Sequence, residues 1–136
     1  MFKRRERVAF LQPKGDLKSI FGSATARAGP HGTDSLDFLA AAVASRGVAN
    51  VVRRLGLEPT VFADAADRAR VSRQADPGLT DDAKRVVEQV GNRSLERGLD
   101  PSGPDLLIAL ASVDTPAQAV LLNLGLDEPR LRSILE

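Results

Sequence analysis

Two stretches of this chain repeat one another. The first is Gly32-Thr33-Asp34-Ser35-Leu36-Asp37-Phe38-Leu39, followed by Val51-Val52-Arg53-Arg54-Leu55-Gly56-Leu57-Glu58-Pro59. The second is Gly103-Pro104-Asp105-Leu106-Leu107-Ile108-Ala109-Leu110, followed by Val120-Leu121-Leu122-Asn123-Leu124-Gly125-Leu126-Asp127-Glu128-Pro129. Asp34 and Asp105 stand 71 positions apart, Gly56 and Gly125 69. Two near-equal spacings in the same order indicate an internal duplication, with a loop two residues shorter in the second copy.

Working outward, the apolar periodicity is helical. Leu17, Ile20, Phe21 and Ala24 form one face of a first helix, which Gly29-Pro30-His31-Gly32 breaks. Asp34 to Ala44 is apolar nearly all round and so belongs at the centre. Val48 to Leu55 follows, with Gly56 as its C-terminal cap, and Pro59 opens a fourth helix carrying Phe62, Ala65, Ala66 and Ala69. Residues 72–78 are rich in turn formers and read as a linker.

The second copy begins with Thr80 as N-cap, ahead of Asp81 and Asp82 in a first turn that favours negative charge. Ala83, Val86, Val87, Val90 and Ser94 give the inner stripe, ending near Gly98. Leu106 to Ala111 is buried, Thr115-Pro116 opens the next helix, and Leu131, Ile134 and Leu135 face inward from the last. The expectation is an all-α fold of eight helices in two four-helix repeats that pack together, behind a basic arm over 1–15. Repeat one spans about 16–71, the linker 72–78 and repeat two 79–136. Leu36, Leu39, Val51, Val52 and Leu55 should be equivalent to Leu107, Leu110, Val120, Leu121 and Leu124, all ten among the most buried residues.

Composition narrows the function classes. The chain of 136 residues contains no Cys, so disulfides and thiolate metal sites are excluded. Net charge runs from +4 over residues 1–18, through +1 over 19–78, to −4 over 79–136. An acidic folded half behind a basic leader argues against a broad nucleic-acid footprint. No apolar stretch is long enough to span a bilayer and the leader lacks a secretory signal's apolar segment, so a cytoplasmic protein is expected. Arg in excess over Lys, with abundant Ala, points to a GC-rich bacterial genome.

Leu79-Thr80-Asp81-Asp82-Ala83-Lys84-Arg85-Val86-Val87-Glu88 resembles the opening of a Clp amino-terminal repeat. Gly103 to Leu110 resembles that family's following Gly-Thr-Glu-His-Leu-Leu-Leu-Gly-Leu stretch, and Ala119 to Leu126 its Ala-x-x-Val-Leu-x-x-Leu-Gly-Val segment. The likeness covers 79–136 well and 17–71 less fully, because the opening Phe-Thr signature of the first repeat is missing. The resemblance implies an all-helical receptor domain of two four-helix repeats related by a pseudo-twofold axis, which normally precedes the ATP-driven rings of Clp unfoldases and receives substrates and adaptors. In some members the domain binds phosphorylated arginine, and in some actinobacterial ones it is the target of cyclic-peptide antibiotics.

This chain carries no Gly-x-x-x-x-Gly-Lys-Ser/Thr motif and so no P-loop. The expected function is therefore a stand-alone, non-enzymatic polypeptide-recognition module of a Clp protease or chaperone system: an accessory subunit, adaptor or decoy. Its expected partners are a Clp unfoldase, adaptors or substrates, with no cofactor and no membrane. The resemblance places candidate peptide or phosphoarginine contacts at Thr33, Asp34 and Asp105, and a second peptide or small-molecule surface at Leu79, Thr80, Lys84 and Glu88. Asp34 and Asp105 stand where phosphoarginine binders carry Glu, and the neighbouring His is replaced by Ser35 and Leu106. Two readings are open for the pair: guanidinium contacts, or charges serving the first turns of their own helices. Lys84 and Glu88 also read as an exposed i,i+4 pair worth about 0.3 kcal/mol.

His31, the only histidine, lies in a Gly-Pro loop with no converging nucleophile or second ligand. Lys3-Arg4-Arg5-Glu6-Arg7 supports the alternative reading, a small nucleic-acid-associated regulator, through charge alone.

Overall fold

The computed structural model describes residues 15–135. Residues 1–14 of the basic arm, with the Lys3–Arg7 cluster, lie outside the described residues. Eight helices follow in order: α1 (Gly15–Ala28), α2 (Ser35–Ala44), α3 (Arg46–Arg54), α4 (Pro59–Ala69), α5 (Asp81–Arg97), α6 (Gly103–Ser112), α7 (Pro116–Asn123) and α8 (Glu128–Leu135). Among the described residues there is no strand, only one isolated parallel bridge between Thr33 and Leu79. The fold is all-α.

The two helices that are apolar all round are the core. In α2 every residue from Ser35 to Val43 is buried, and in α6 every residue from Asp105 to Ala111. α2 packs on α1, α3, α4, α5, α6 and α7, and α6 on α1, α2, α3, α5, α7 and α8. The outer helices contribute one face each, α1 through Leu17, Ile20 and Ala24 and α5 through Ala83, Val86 and Val90. The Phe21 and Phe38 rings, 5.1 Å apart between centroids, join α1 to α2. The chain turns sharply after each central helix, by 81° between α2 and α3 and 95° between α6 and α7. No single helix among the described residues is long and apolar enough to cross a membrane.

The caps explain where the central helices start. Asp34 is the N-cap of α2: its Oδ1 accepts the Asp37 amide at 2.9 Å, and Asp37 Oδ2 accepts the Asp34 amide at 3.1 Å. Ser102 caps α6 in the same way, with Asp105 Oδ2 accepting the Ser102 amide at 2.9 Å. Each is a reciprocal capping box that satisfies two donors a helix start leaves unpaired. The ends of α3 and α7 also match. Gly56 (φ +83°) donates to the Arg53 carbonyl and Leu57 to that of Val52; Gly125 (φ +79°) donates to Leu122 and Leu126 to Leu121. Both are Schellman turns, which need a left-handed residue and so favour glycine.

These caps correct the alignment of the repeated stretches. Asp34 is an N-cap and Asp105 the third residue of its helix, so the two do not hold equivalent positions. By cap position Asp34 matches Ser102 and Asp37 matches Asp105, both 68 positions apart, and Leu39 rather than Leu36 matches Leu107. Of the ten residues expected to be most buried, Val51, Leu55 and Leu124 are only half-buried. They lie at the ends of short helices, where Leu126 is the residue that turns inward, at 2% exposure. α3 also begins two residues earlier than expected, and α1 begins at Gly15.

Candidate functional site

The segment between α4 and α5 is held by charge. Arg70 Nη2 lies 2.9 Å from Asp34 Oδ1 and 3.0 Å from Asp37 Oδ1, and Arg70 Nε 3.1 Å from Asp34 Oδ2. Arg73 Nη2 donates to both Asp37 oxygens, at 3.2 and 3.1 Å. From α1, Arg27 reaches Asp67 at 2.8 Å and lies 3.9 Å from Asp37. The Asp37 side chain is wholly buried, and those of Arg70 and Arg73 are 14% and 18% exposed. Further along, Thr33 donates to the Gly78 carbonyl at 2.7 Å, Gly32 to that of Gln74 at 3.1 Å, and Thr80 back to Thr33 at 3.0 Å. The segment is thus laid across the start of α2 and stitched there.

Burial acts to raise the Asp34 carboxyl, but the Arg70 hydrogen bond, the Asp37 amide and the Arg70 charge outweigh it and hold the group below its ordinary value. For Asp37, burial together with the neighbouring Asp34 charge outweighs its hydrogen bond and the arginines, and its carboxyl is raised. Burial opposes the charge on Arg70, yet the Asp34 hydrogen bond and the surrounding carboxylates raise its pKa.

Asp105 forms a second, separate centre. Its Oδ1 accepts Arg93 Nε and Arg97 Nη1, each at 3.0 Å, and its Oδ2 accepts the Ser102 amide and hydroxyl at 2.9 and 3.0 Å. The Arg93 side chain is only 7% exposed. Asp34 and Asp105 share none of these partners. Each carboxylate is engaged by guanidinium groups of its own chain, so an incoming guanidinium would have to displace one of them.

The structure gathers Thr33, Asp34, Leu79 and Thr80 at one place and leaves Asp105, Lys84 and Glu88 outside it. Thr33 is buried and works through its backbone. Thr80 caps α5, accepting the Ala83 amide, and its hydroxyl lies against Asp82 Oδ1. Lys84 and Glu88 are exposed on α5, and His31 is exposed in its loop. A cleft of about 240 Å³ opens at this junction, walled by Leu36, Ala69, Val71, Pro116, Thr80 and Asp82. Among the described residues no group of three or more His, Asp or Glu is placed to hold a metal ion.

Arg70, Arg73 and Arg93 were missed in the sequence. The first two lie in or beside a stretch that reads as a bland linker, and Arg93 looks like helix-surface charge. The available signal was the buried carboxylate: an Asp inside an otherwise apolar helix such as α2 requires a cation from elsewhere. Comparison with protein-family models and with curated proteins returned no match for the chain.

Proposed function

We propose that this chain forms a polypeptide-recognition module of the Clp amino-terminal type, made of two four-helix copies related by a pseudo-twofold axis, and that it serves a Clp protease or chaperone system as an accessory subunit, adaptor or decoy. The observation that carries the reading is the matched construction of its halves. Exchanging α1–α4 with α5–α8 turns the packing partners of α2 into those of α6. Under the same exchange the capping boxes at Asp34 and Ser102, the Schellman turns at Gly56 and Gly125, and the pairs Arg27–Asp37 and Arg93–Asp105 correspond. The sequence likeness over residues 79–136 adds the family. On this reading the module acts by binding, and its partners are Clp rings, adaptors or their substrates.

Co-sedimentation and pull-down with the Clp unfoldase ring, adaptors and substrates of the same cell test this reading; association is expected, and its absence with all three overturns it. Free phosphoarginine, titrated while amide shifts are followed, is expected to bind weakly or not at all, because the Asp34 and Asp105 carboxylates are already occupied. Tight binding abolished by Asp34→Ala or Asp105→Ala would instead make those carboxylates the recognition site.

A further inference from the structure

We propose that residues 70–74 form a docking edge for an extended segment of a partner protein, one that carries a Leu- or Phe-sized side chain closely followed by Lys or Arg. The inference rests on the polypeptide-recognition reading above and gives it a place.

Four observations lead here. Arg70 and Arg73 both turn inward onto Asp34 and Asp37, which fixes the strap from two points. Between them Val71 is turned out to 98% exposure, where no other described large hydrophobic exceeds 57%. A single exposed hydrophobic is ordinary on a surface. One held out between two buried anchors, on chain already ordered, has little conformational freedom left to lose on binding. Secondly, the strap is non-helical, and among the described residues Val71, Ser72 and Arg73 make no backbone hydrogen bond. Their free amides and carbonyls can be paired by an added extended chain, the mode in which main-chain bonds give affinity and a side-chain pocket gives selectivity.

Thirdly, the adjoining cleft supplies that pocket. Its volume, about 240 Å³, is below the range of roughly 300–1,000 Å³ usual for small-molecule sites and suits one large apolar side chain. Leu36, Ala69 and Pro116 give it an apolar side, and Gln74, Thr80 and Asp82 a polar one. Lastly, the charge is unbalanced on one side only. Asp34 and Asp37 are matched by arginines, whereas Asp82, in the cleft wall, accepts the Ser35 amide at 3.2 Å and the Thr80 hydroxyl but has no ion-pair partner among the described residues. A cation beside the apolar anchor complements it and sets the register of the incoming chain.

The test uses the whole protein on an array of immobilised hexapeptides whose two central positions run through all residue types. Signal is expected to concentrate on sequences with Leu or an aromatic followed within two positions by Lys or Arg. The best peptide, measured in solution by fluorescence anisotropy, should lose at least about tenfold in affinity, some 1.4 kcal/mol, with Ala69→Trp, which fills the cleft from an exposed position, and with Ser72→Pro, which removes a strap amide. Asp82→Asn should erase the preference for a basic residue while leaving the apolar preference intact. Thermal melts check that each variant is folded, and Val71→Ser, on a fully exposed side chain, is the substitute if Ser72→Pro is not. An array without the preference, or folded variants that bind like the parent, overturns the docking edge. If the folded variants bind peptide like the parent while ring, adaptor or substrate still associates, the edge is wrong and the recognition reading stands; if neither ring, adaptor, substrate nor peptide binds, both fall.

Discussion

Arg70 grips Asp34 with two nitrogens at once, Nε on Oδ2 at 3.1 Å and Nη2 on Oδ1 at 2.9 Å, while the same Nη2 reaches Asp37 at 3.0 Å. One guanidinium therefore spans both members of the α2 capping box. Asp37 is the harder residue to replace, because its side chain has no exposure and it also holds Arg73 and the Asp34 amide. Asp37→Ala is expected to cost about 3–5 kcal/mol, the usual effect of removing one partner from a buried ionic set. Urea denaturation checks it, and Asp37→Asn, which keeps an oxygen for the Asp34 amide, should cost less.

The same cluster sets a pH dependence. The Asp34 carboxyl is held below its ordinary value in the fold, so the stability it contributes is complete above the unfolded pKa of about 3.9 and is lost as pH falls through the lower folded value. Asp37 acts in the opposite sense: its folded value is raised, so protonation as pH falls through that value favours the folded state until the unfolded carboxyl is protonated too. The stability gap between wild type and Asp34→Asn should be full near neutral pH and shrink below about pH 4. Urea midpoints across that range measure it.

In α6, Leu107 and Leu110 are 1% and 0% exposed. Either residue replaced by Ala leaves a cavity in the core, and a loss of roughly 2–5 kcal/mol is expected. Leu122→Ala, on a side chain 53% exposed, is the control and should stay within about 0.5 kcal/mol.

At Gly103 the start of α6 lies close against α1. Its amide donates to Asp16 Oδ2 at 3.1 Å, and a Cβ there would stand 2.9 Å from that oxygen and 3.1 Å from Ile20 Cδ1. Asp16 is exposed and can swing away; Ile20 is buried and cannot. Gly103→Ala should therefore destabilise by about 1–3 kcal/mol through overpacking, which thermal unfolding will show.

Much of this architecture was legible in the sequence because short-range chemistry decided it. Apolar runs marked α2 and α6 as central, Thr80 and Thr115 marked two helix starts, and Gly56 and Gly125 marked two ends. The cap register was not legible, since Asp34 and Asp105 look alike and only the geometry separates an N-cap from a third position. The charge cluster was also hidden. Arg70 and Asp34 are 36 positions apart, and no local pattern tells an arginine that folds back from one that stays in water. The cleft depends on four segments meeting, so it has no signature in any one of them.

The bridge at Thr33 has a kinetic consequence. The bond from the Thr80 amide to the Thr33 carbonyl joins residues 47 positions apart, and α2, α3 and α4 lie wholly within the loop it closes. Helices form from local contacts, whereas a closure of this length must meet its loop entropy before its bonds repay it. The stitching of the strap thus belongs to the late, native side of the folding barrier, and a lesion in it, such as Arg73→Ala, should quicken unfolding in stopped-flow experiments while leaving the refolding rate almost untouched. The surface proposed to meet partners would then be the first part of the molecule to let go.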